Sequence, residues 1–157
     1  MGKAADFTPP SASGLRVAIV AARYNEQIVE QLVEGAVAAW RAAEGADDAL
    51  RVERVPGAFE LPLAAQLLAR TGRYDAIVAL GCVIRGDTAH FDFVAGECAR
   101  GLQRVMLATA VPVAFGVLTT ENVQQAQERS GPGVQNKGAE ALHTAIAMAQ
   151  FVRRAVV

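Results

Sequence analysis

The sequence predicts an α/β fold: a three-layer α/β/α sandwich around a central four-stranded parallel sheet, preceded by a flexible N-terminal arm. Three observations predict it. Strand-length apolar runs alternate with longer stretches whose apolar residues recur every three or four positions, in the order β-α-β-α-β-α-β-α-α. That alternation requires right-handed crossovers, which place helices on both faces of a parallel sheet. One run, Ala76-Ile77-Val78-Ala79-Leu80, is apolar throughout, as in a strand buried on both faces.

Each element has its own signal. Residues 1–13 contain Pro9-Pro10 and end in small polar residues, so they read as a flexible arm, with a single domain over residues 14–157. Leu15 to Ala22 is a short β-branched strand. Asn25 is a helix-capping residue, and Ile28, Val29, Leu32, Val33, Ala36, Val37 and Trp40 form one helical face behind it. Leu50 to Val55 alternates apolar and charged residues, a strand with one exposed side. Pro56-Gly57 stops it, and Glu60 to Ala69 reads as the second helix. Asp75 to Val83 is the third strand, expected to be central. Phe91, Val94, Ala95, Cys98, Leu102, Val105 and Met106 mark the third helix. Val111 to Leu118 is the fourth strand, with Pro112 tolerated at its start. A short helix follows Thr119-Thr120-Glu121-Asn122, Ser130-Gly131-Pro132-Gly133 breaks it, and a last helix runs from about Lys137 to Arg153.

Composition narrows the function. At 157 residues the chain is one domain. A net charge of −1 without a basic stripe gives no footprint for nucleic acid. The apolar share of 52% exceeds that of an ordinary domain, yet no run approaches the roughly 20 residues of a membrane-spanning helix. The surplus is therefore expected in subunit contacts of a homo-oligomer. The first residues read as neither a signal peptide nor an anchor. Cys82 and Cys98 lack metal-ligand spacing and read as free thiols of a cytoplasmic protein, with no metal site.

Parallel strands bring their carboxyl ends to one edge of the sheet, where open α/β sheets bind ligands. Here that edge would carry Tyr24-Asn25, Gly57-Ala58-Phe59-Glu60, the stretch Gly81 to His90, and Phe115 with Thr119-Thr120. Gly86-Asp87-Thr88 precedes a helix, so it could cradle an anion or simply cap that helix. His90, in the first helical turn, could shuttle protons or be an ordinary surface histidine; His143, among alanines, reads as structural. Tyr24, Phe59 and Phe115 could stack on a flat heterocycle or belong to the core. Glu60 could bind hydroxyls or favour a helix N-terminus, and Arg129 and Lys137 could clamp phosphate or be solvated helix-end charges. Neither the Walker pattern nor G-x-G-x-x-G is present, which weakens nucleoside triphosphate and dinucleotide readings.

Four motifs in this order make the chain similar to the 6,7-dimethyl-8-ribityllumazine synthases. They are Gly57-Ala58-Phe59-Glu60-Leu61-Pro62, Gly81 to Asp92, Ala114-Phe115-Gly116-Val117-Leu118-Thr119, and Arg129 followed by Asn136-Lys137-Gly138. The resemblance runs from about residue 15 to the C-terminus. It implies a flavodoxin-like sandwich and a riboflavin-pathway transferase. That enzyme condenses 5-amino-6-(D-ribitylamino)uracil with 3,4-dihydroxy-2-butanone 4-phosphate, without any cofactor.

The resemblance also implies roles. Tyr24 would stack on the pyrimidine, in a position where the family often has Phe or Trp. Ala58, Phe59 and Glu60 would hold the ribityl chain and ring, and Cys82, Val83 and Ile84 would meet the uracil through backbone groups. Asp87 and Thr88 would cradle phosphate with Arg129, His90 would move protons, Phe115 would close the site, and Lys137 with Glu140 would assist. An acidic Asp87 suits a phosphate only if its N–H faces the ligand. The family site lies between subunits of a pentamer, so Phe115, Arg129 and Lys137 would come from a neighbour. Family assemblies include pentamers, decamers and 60-subunit icosahedral shells, and riboflavin synthase is a further partner the resemblance admits. Two other classes remain open: a flavin- or lumazine-binding module, which would need neither His90 nor Arg129, and a structural shell protein, which a mass measurement would reveal.

Overall fold

The computed structural model describes residues 10–133 and 135–156. Four strands, β1 (Val17–Ala22), β2 (Leu50–Val55), β3 (Ala76–Ile84) and β4 (Val113–Thr120), form one parallel sheet in the order β2-β1-β3-β4. The strands are wound in both directions from β1, so the order reverses between β1 and β3. These two central strands have the most continuous apolar sequences, as burial on both faces demands.

Among the described residues, five α-helices cover the sheet: α1 (Glu26–Ala42), α2 (Leu61–Arg70), α3 (His90–Thr109), α4 (Val123–Ser130) and α5 (Lys137–Ala155). Two cores result. On one face Ile19, Val78, Leu80 and Leu118 meet Leu32, Trp40, Leu142 and Ile146 of α1 and α5. On the other, Val20, Ile77, Ala79 and Val117 meet Leu61, Ala65, Cys98 and Leu102 of α2 and α3. Burial of a side chain such as Leu142 or Leu102 is worth about 1.5–3 kcal/mol relative to exposure. The core beneath α1 and α5 is the larger of the two, and it holds the one tryptophan, Trp40.

The end of the arm expected over residues 1–13 is docked on the domain. Residues 1–9 lie outside the described residues. Ala12, however, is fully buried and donates its N–H to the Ala43 carbonyl at 2.7 Å, and the Ser11 hydroxyl donates to Glu44. A small residue can enter the gap beside the end of α1, so the chain docks before residue 13.

Asn25 also departs from expectation. Its backbone is left-handed (φ 58°), and its side chain caps nothing in α1. Instead Nδ2 donates to the Cys82 carbonyl at 2.8 Å. Asn tolerates this conformation better than bulkier residues. The turn aims the amide across the sheet, while the Asn25 carbonyl starts the helix by accepting from Ile28 and Val29.

The break before α5 is held by Asn136. Its Oδ1 accepts from the Ala139 N–H at 3.0 Å, capping α5, and its Nδ2 faces the carbonyls of Ser130 (2.8 Å), Gln31 (3.0 Å) and Gly131 (3.2 Å). The neighbouring contact between α1 and α5 is closer than any side chain allows. A Cβ on Gly138 would lie 1.9 Å from the Leu32 carbonyl oxygen, and one on Gly35 would lie 2.2 Å from Asn136 Oδ1.

Candidate active site

The carboxyl edge of the sheet is built around the point where strand order reverses, the usual ligand position in such folds. Pairing between β1 and β3 ends at Ala21 and Leu80, but β3 continues beside β4 through Cys82, Val83 and Ile84. Those three residues are therefore paired on one side only. Asn25 supplies a single donor to the other side, at the Cys82 carbonyl. The remaining backbone edge can hydrogen-bond a planar amide-like ring, the use expected for Cys82, Val83 and Ile84. The Cys82 side chain takes no part: it is buried, and desolvation pushes its thiol up to about 11.

Two aromatic rings stand beside this edge. Tyr24 follows β1 and is 74% exposed; Phe59 lies in a single 3-10 turn, Ala58–Glu60, and is 59% exposed. Neither belongs to the core. The Tyr24 N–H donates to the Pro56 carbonyl, fixing the β1 and β2 exits together. That turn packs against β3 and α3, with Ala58 buried beneath it. Glu60 does take the structural role considered for it, since Oε2 accepts from the Gly57 N–H at 2.9 Å.

The turn after β3 presents donors. Among the described residues, the N–H groups of Gly86, Asp87 and Thr88 meet no protein acceptor. They precede α3, a 20-residue helix whose dipole favours an anion at that end. The plain capping alternative is met only in part: Thr88 Oγ1 accepts from the His90 N–H at 3.3 Å, while Asp87 caps nothing. His90 is the first residue of α3, with its side chain exposed.

Other predicted residues lie apart. Phe115 is not at a strand tip: it is the third residue of β4, opposite Ala79, and 48% exposed on an edge strand between buried Ala114 and Gly116. Arg129, near the end of α4, donates from Nη1 to the Gln125 carbonyl at 2.9 Å. Lys137 pairs with Glu140 at 2.7 Å on α5. Among the described residues, no hydrogen bond or ion pair joins Phe115, Arg129, Lys137 or Glu140 to the Gly86–His90 turn. Tyr24, Phe59 and the Gly86–His90 turn are all exposed. A separate cleft of about 310 Å³ lies between α1 and α4, where of the predicted residues only Ile84 contributes.

Sequence reasoning missed two groups. Arg85 has no role in the sequence reading, yet it bonds Glu121 and Asp92 and covers the Phe91 ring. Asn136 was quoted only as part of a motif; its caps and carbonyl partners explain its place there. No group of three or more potential metal ligands occurs among the described residues.

Fold and edge together define a doubly wound α/β protein whose candidate small-molecule site lies at the topological switch point. The sequence profile of the family described as 6,7-dimethyl-8-ribityllumazine synthase matches residues 14–153. Proteins of that name from Chlorobium chlorochromatii (strain CaD3) and Edwardsiella ictaluri (strain 93-146) are 48% and 55% identical to the chain. The alignments cover 92% and 88% of this chain and 93% and 89% of theirs. One from Yersinia pestis (strain Pestoides F) is 53% identical, over 88% of this chain and 89% of its own. The chain belongs to the 6,7-dimethyl-8-ribityllumazine synthase family.

Proposed function

We propose that the chain catalyses the reaction its family is named for, a step of riboflavin biosynthesis. It forms 6,7-dimethyl-8-ribityllumazine from 5-amino-6-(D-ribitylamino)uracil and 3,4-dihydroxy-2-butanone 4-phosphate. The observation that carries this reading is the one-sided edge of β3, with exposed aromatic rings beside it and a turn of free N–H groups after it. A flat uracil would stack on Tyr24 and Phe59 while bonding the backbone of Cys82, Val83 and Ile84. The free oxygen of Glu60 faces the ribityl chain, and the phosphate sits on the N–H groups before α3 with the Thr88 hydroxyl. Asp87 then contributes its N–H and keeps its carboxylate outward.

The chemistry follows from that placement. The 5-amino group attacks the ketone, and loss of water gives an imine. Phosphate is eliminated, and the ribityl-bearing nitrogen closes the ring with loss of a second water. His90 stands at the helix start, between heterocycle and phosphate, to take and return protons. Holding two reactive partners side by side supplies much of the rate.

Phe115, Arg129, Lys137 and Glu140 complete the site from an adjacent subunit of a homopentamer. Support comes from the exposed Tyr24 and Phe59 rings and from exposed Leu63 and Leu67 on α2 and Phe93 and Leu107 on α3, apolar side chains that want cover. Pentamers could pair or build a 60-subunit shell. The cytoplasm is the proposed compartment, and riboflavin synthase, which consumes the product, is the proposed partner.

Mixing the purified protein with both substrates should form fluorescent lumazine faster than the uncatalysed reaction. Absence of acceleration would sink the proposal. Native mass spectrometry on the same sample tests the pentamer.

A further inference from the structure

We infer that Arg85 is the positioning residue of the anion-binding turn, and that Asp92 and Glu121 serve that turn by holding Arg85. The inference rests on the synthase reading above. One guanidinium makes three contacts. Nε donates to Glu121 Oε2 at 2.8 Å, Nη1 donates to Asp92 Oδ1 at 3.3 Å, and Cζ lies 4.3 Å from the centre of the Phe91 ring. The Arg85 N–H adds a bond to the Thr120 carbonyl at 2.9 Å. Glu121 follows the end of β4, while Phe91 and Asp92 lie in the first turn of α3. Arg85 therefore ties the exits of β3 and β4 to the start of α3, and the turn Gly86–Ala89 is strung between those anchors. Among the described residues, the N–H groups of Gly86, Asp87 and Thr88 meet no protein acceptor that would orient them, so the anchors set their direction.

Charge makes the arrangement informative. Asp87, Asp92 and Glu121 put three carboxylates near a turn meant for a phosphate, against the one guanidinium of Arg85. By electrostatics alone, Asp92 and Glu121 oppose anion binding, and removing them should tighten it. As anchors for a planar, forked guanidinium they favour it, and removing them should weaken it. The two effects have opposite signs.

The test is steady-state kinetics of Asp92→Asn, Glu121→Gln and Arg85→Lys, with folding checked by circular dichroism. For each carboxylate variant, KM for the butanone phosphate should rise about threefold to tenfold, with kcat within about twofold and KM for the uracil substrate unchanged. Arg85→Lys should raise the same KM, because an ammonium keeps the charge but cannot fork. A KM that stays level or falls in both carboxylate variants overturns the inference. A loss of thermal stability with KM unchanged does the same, because it reduces the ion pairs to ordinary scaffolding. Inorganic phosphate titrated calorimetrically into wild type and variants gives a readout independent of turnover, with weaker binding expected in all three variants. If the wild type fails to turn over, the synthase reading falls, and the phosphate titration still decides the role of Arg85.

Discussion

At the scale of single residues, chemistry and stability make different demands on neighbouring side chains. His90 is exposed at a helix start, and positioning carries much of the rate, so His90→Ala should slow turnover by only about tenfold. Arg129→Ala should cost more, mainly through KM for the butanone phosphate; unchanged affinity for that substrate would remove Arg129 from the clamp. The second histidine gives a stability prediction instead. Burial lowers the pKa of His143 below its ordinary 6.5, with Glu140 opposing the shift in part. The unfolded chain therefore binds a proton more readily than the folded one. Above about pH 6.5 both states are neutral at this site and it contributes nothing. As pH falls through that value toward the lowered one, folding stability falls. Urea denaturation at pH 7.5 and pH 5 should show an acid loss in the wild type that His143→Gln reduces; equal losses in both would show that other groups carry it.

At the scale of elements, the closest constraint is the crossing of α1 and α5. With 1.9 Å between a Gly138 Cβ and the Leu32 carbonyl oxygen, the helices must separate to accept a methyl group. Gly138→Ala should then destabilise the fold by about 1–3 kcal/mol or more, the range of overpacked cores. Calorimetric melting measures it, and a melting temperature equal to wild type would mean the helices can part freely. The same crossing gives Asn136-Lys137-Gly138 a mechanical explanation. Asn136 satisfies the carbonyls at the chain break, Gly138 permits the approach, and Lys137 between them pairs with Glu140. Asn136 and Gly138 in this motif are therefore accounted for by the joint between α1 and α5. On the opposite side of the sheet, the 3-10 turn at Ala58–Glu60 uses the Glu60 carboxylate to hold Gly57, which leaves Phe59 facing outward.

At the scale of the whole molecule, a single chain carries about half of the proposed site. Tyr24, Phe59, the β3 edge and the turn before α3 share one edge. Among the described residues, no side-chain hydrogen bond or ion pair joins Phe115, Arg129 or Lys137 to that edge. Cover for both these residues and the exposed leucines of α2 is the physical case for a ring of subunits. Native mass should give five chains or a multiple of five, and a monomeric mass under assay conditions would break the proposed two-subunit site. Within such an assembly or outside it, Cys98 stays in the α2–α3 core, where desolvation pushes its thiol up to about 11. It should resist alkylation at pH 8 until the protein unfolds, and rapid labelling of the native state would contradict this burial.

Alternating apolar patterns determined the strand and helix order by themselves, because burial on one or both faces is written locally in residue spacing. The continuous run at Ala76–Leu80 likewise marked β3 as central, and the family motifs supplied the residues of the proposed site. Tertiary structure decided what local spacing does not encode. Asn25 reads as a helix cap, yet its amide crosses the sheet to Cys82, since a left-handed turn redirects it. Phe115 reads as a tip residue, yet it sits inside an edge strand, because register depends on the partner strand. Arg85 carries no local signal of its role, and only the meeting of β4 with α3 supplies its two carboxylates. Hydrogen-bond partners distant in sequence become neighbours only when the sheet assembles.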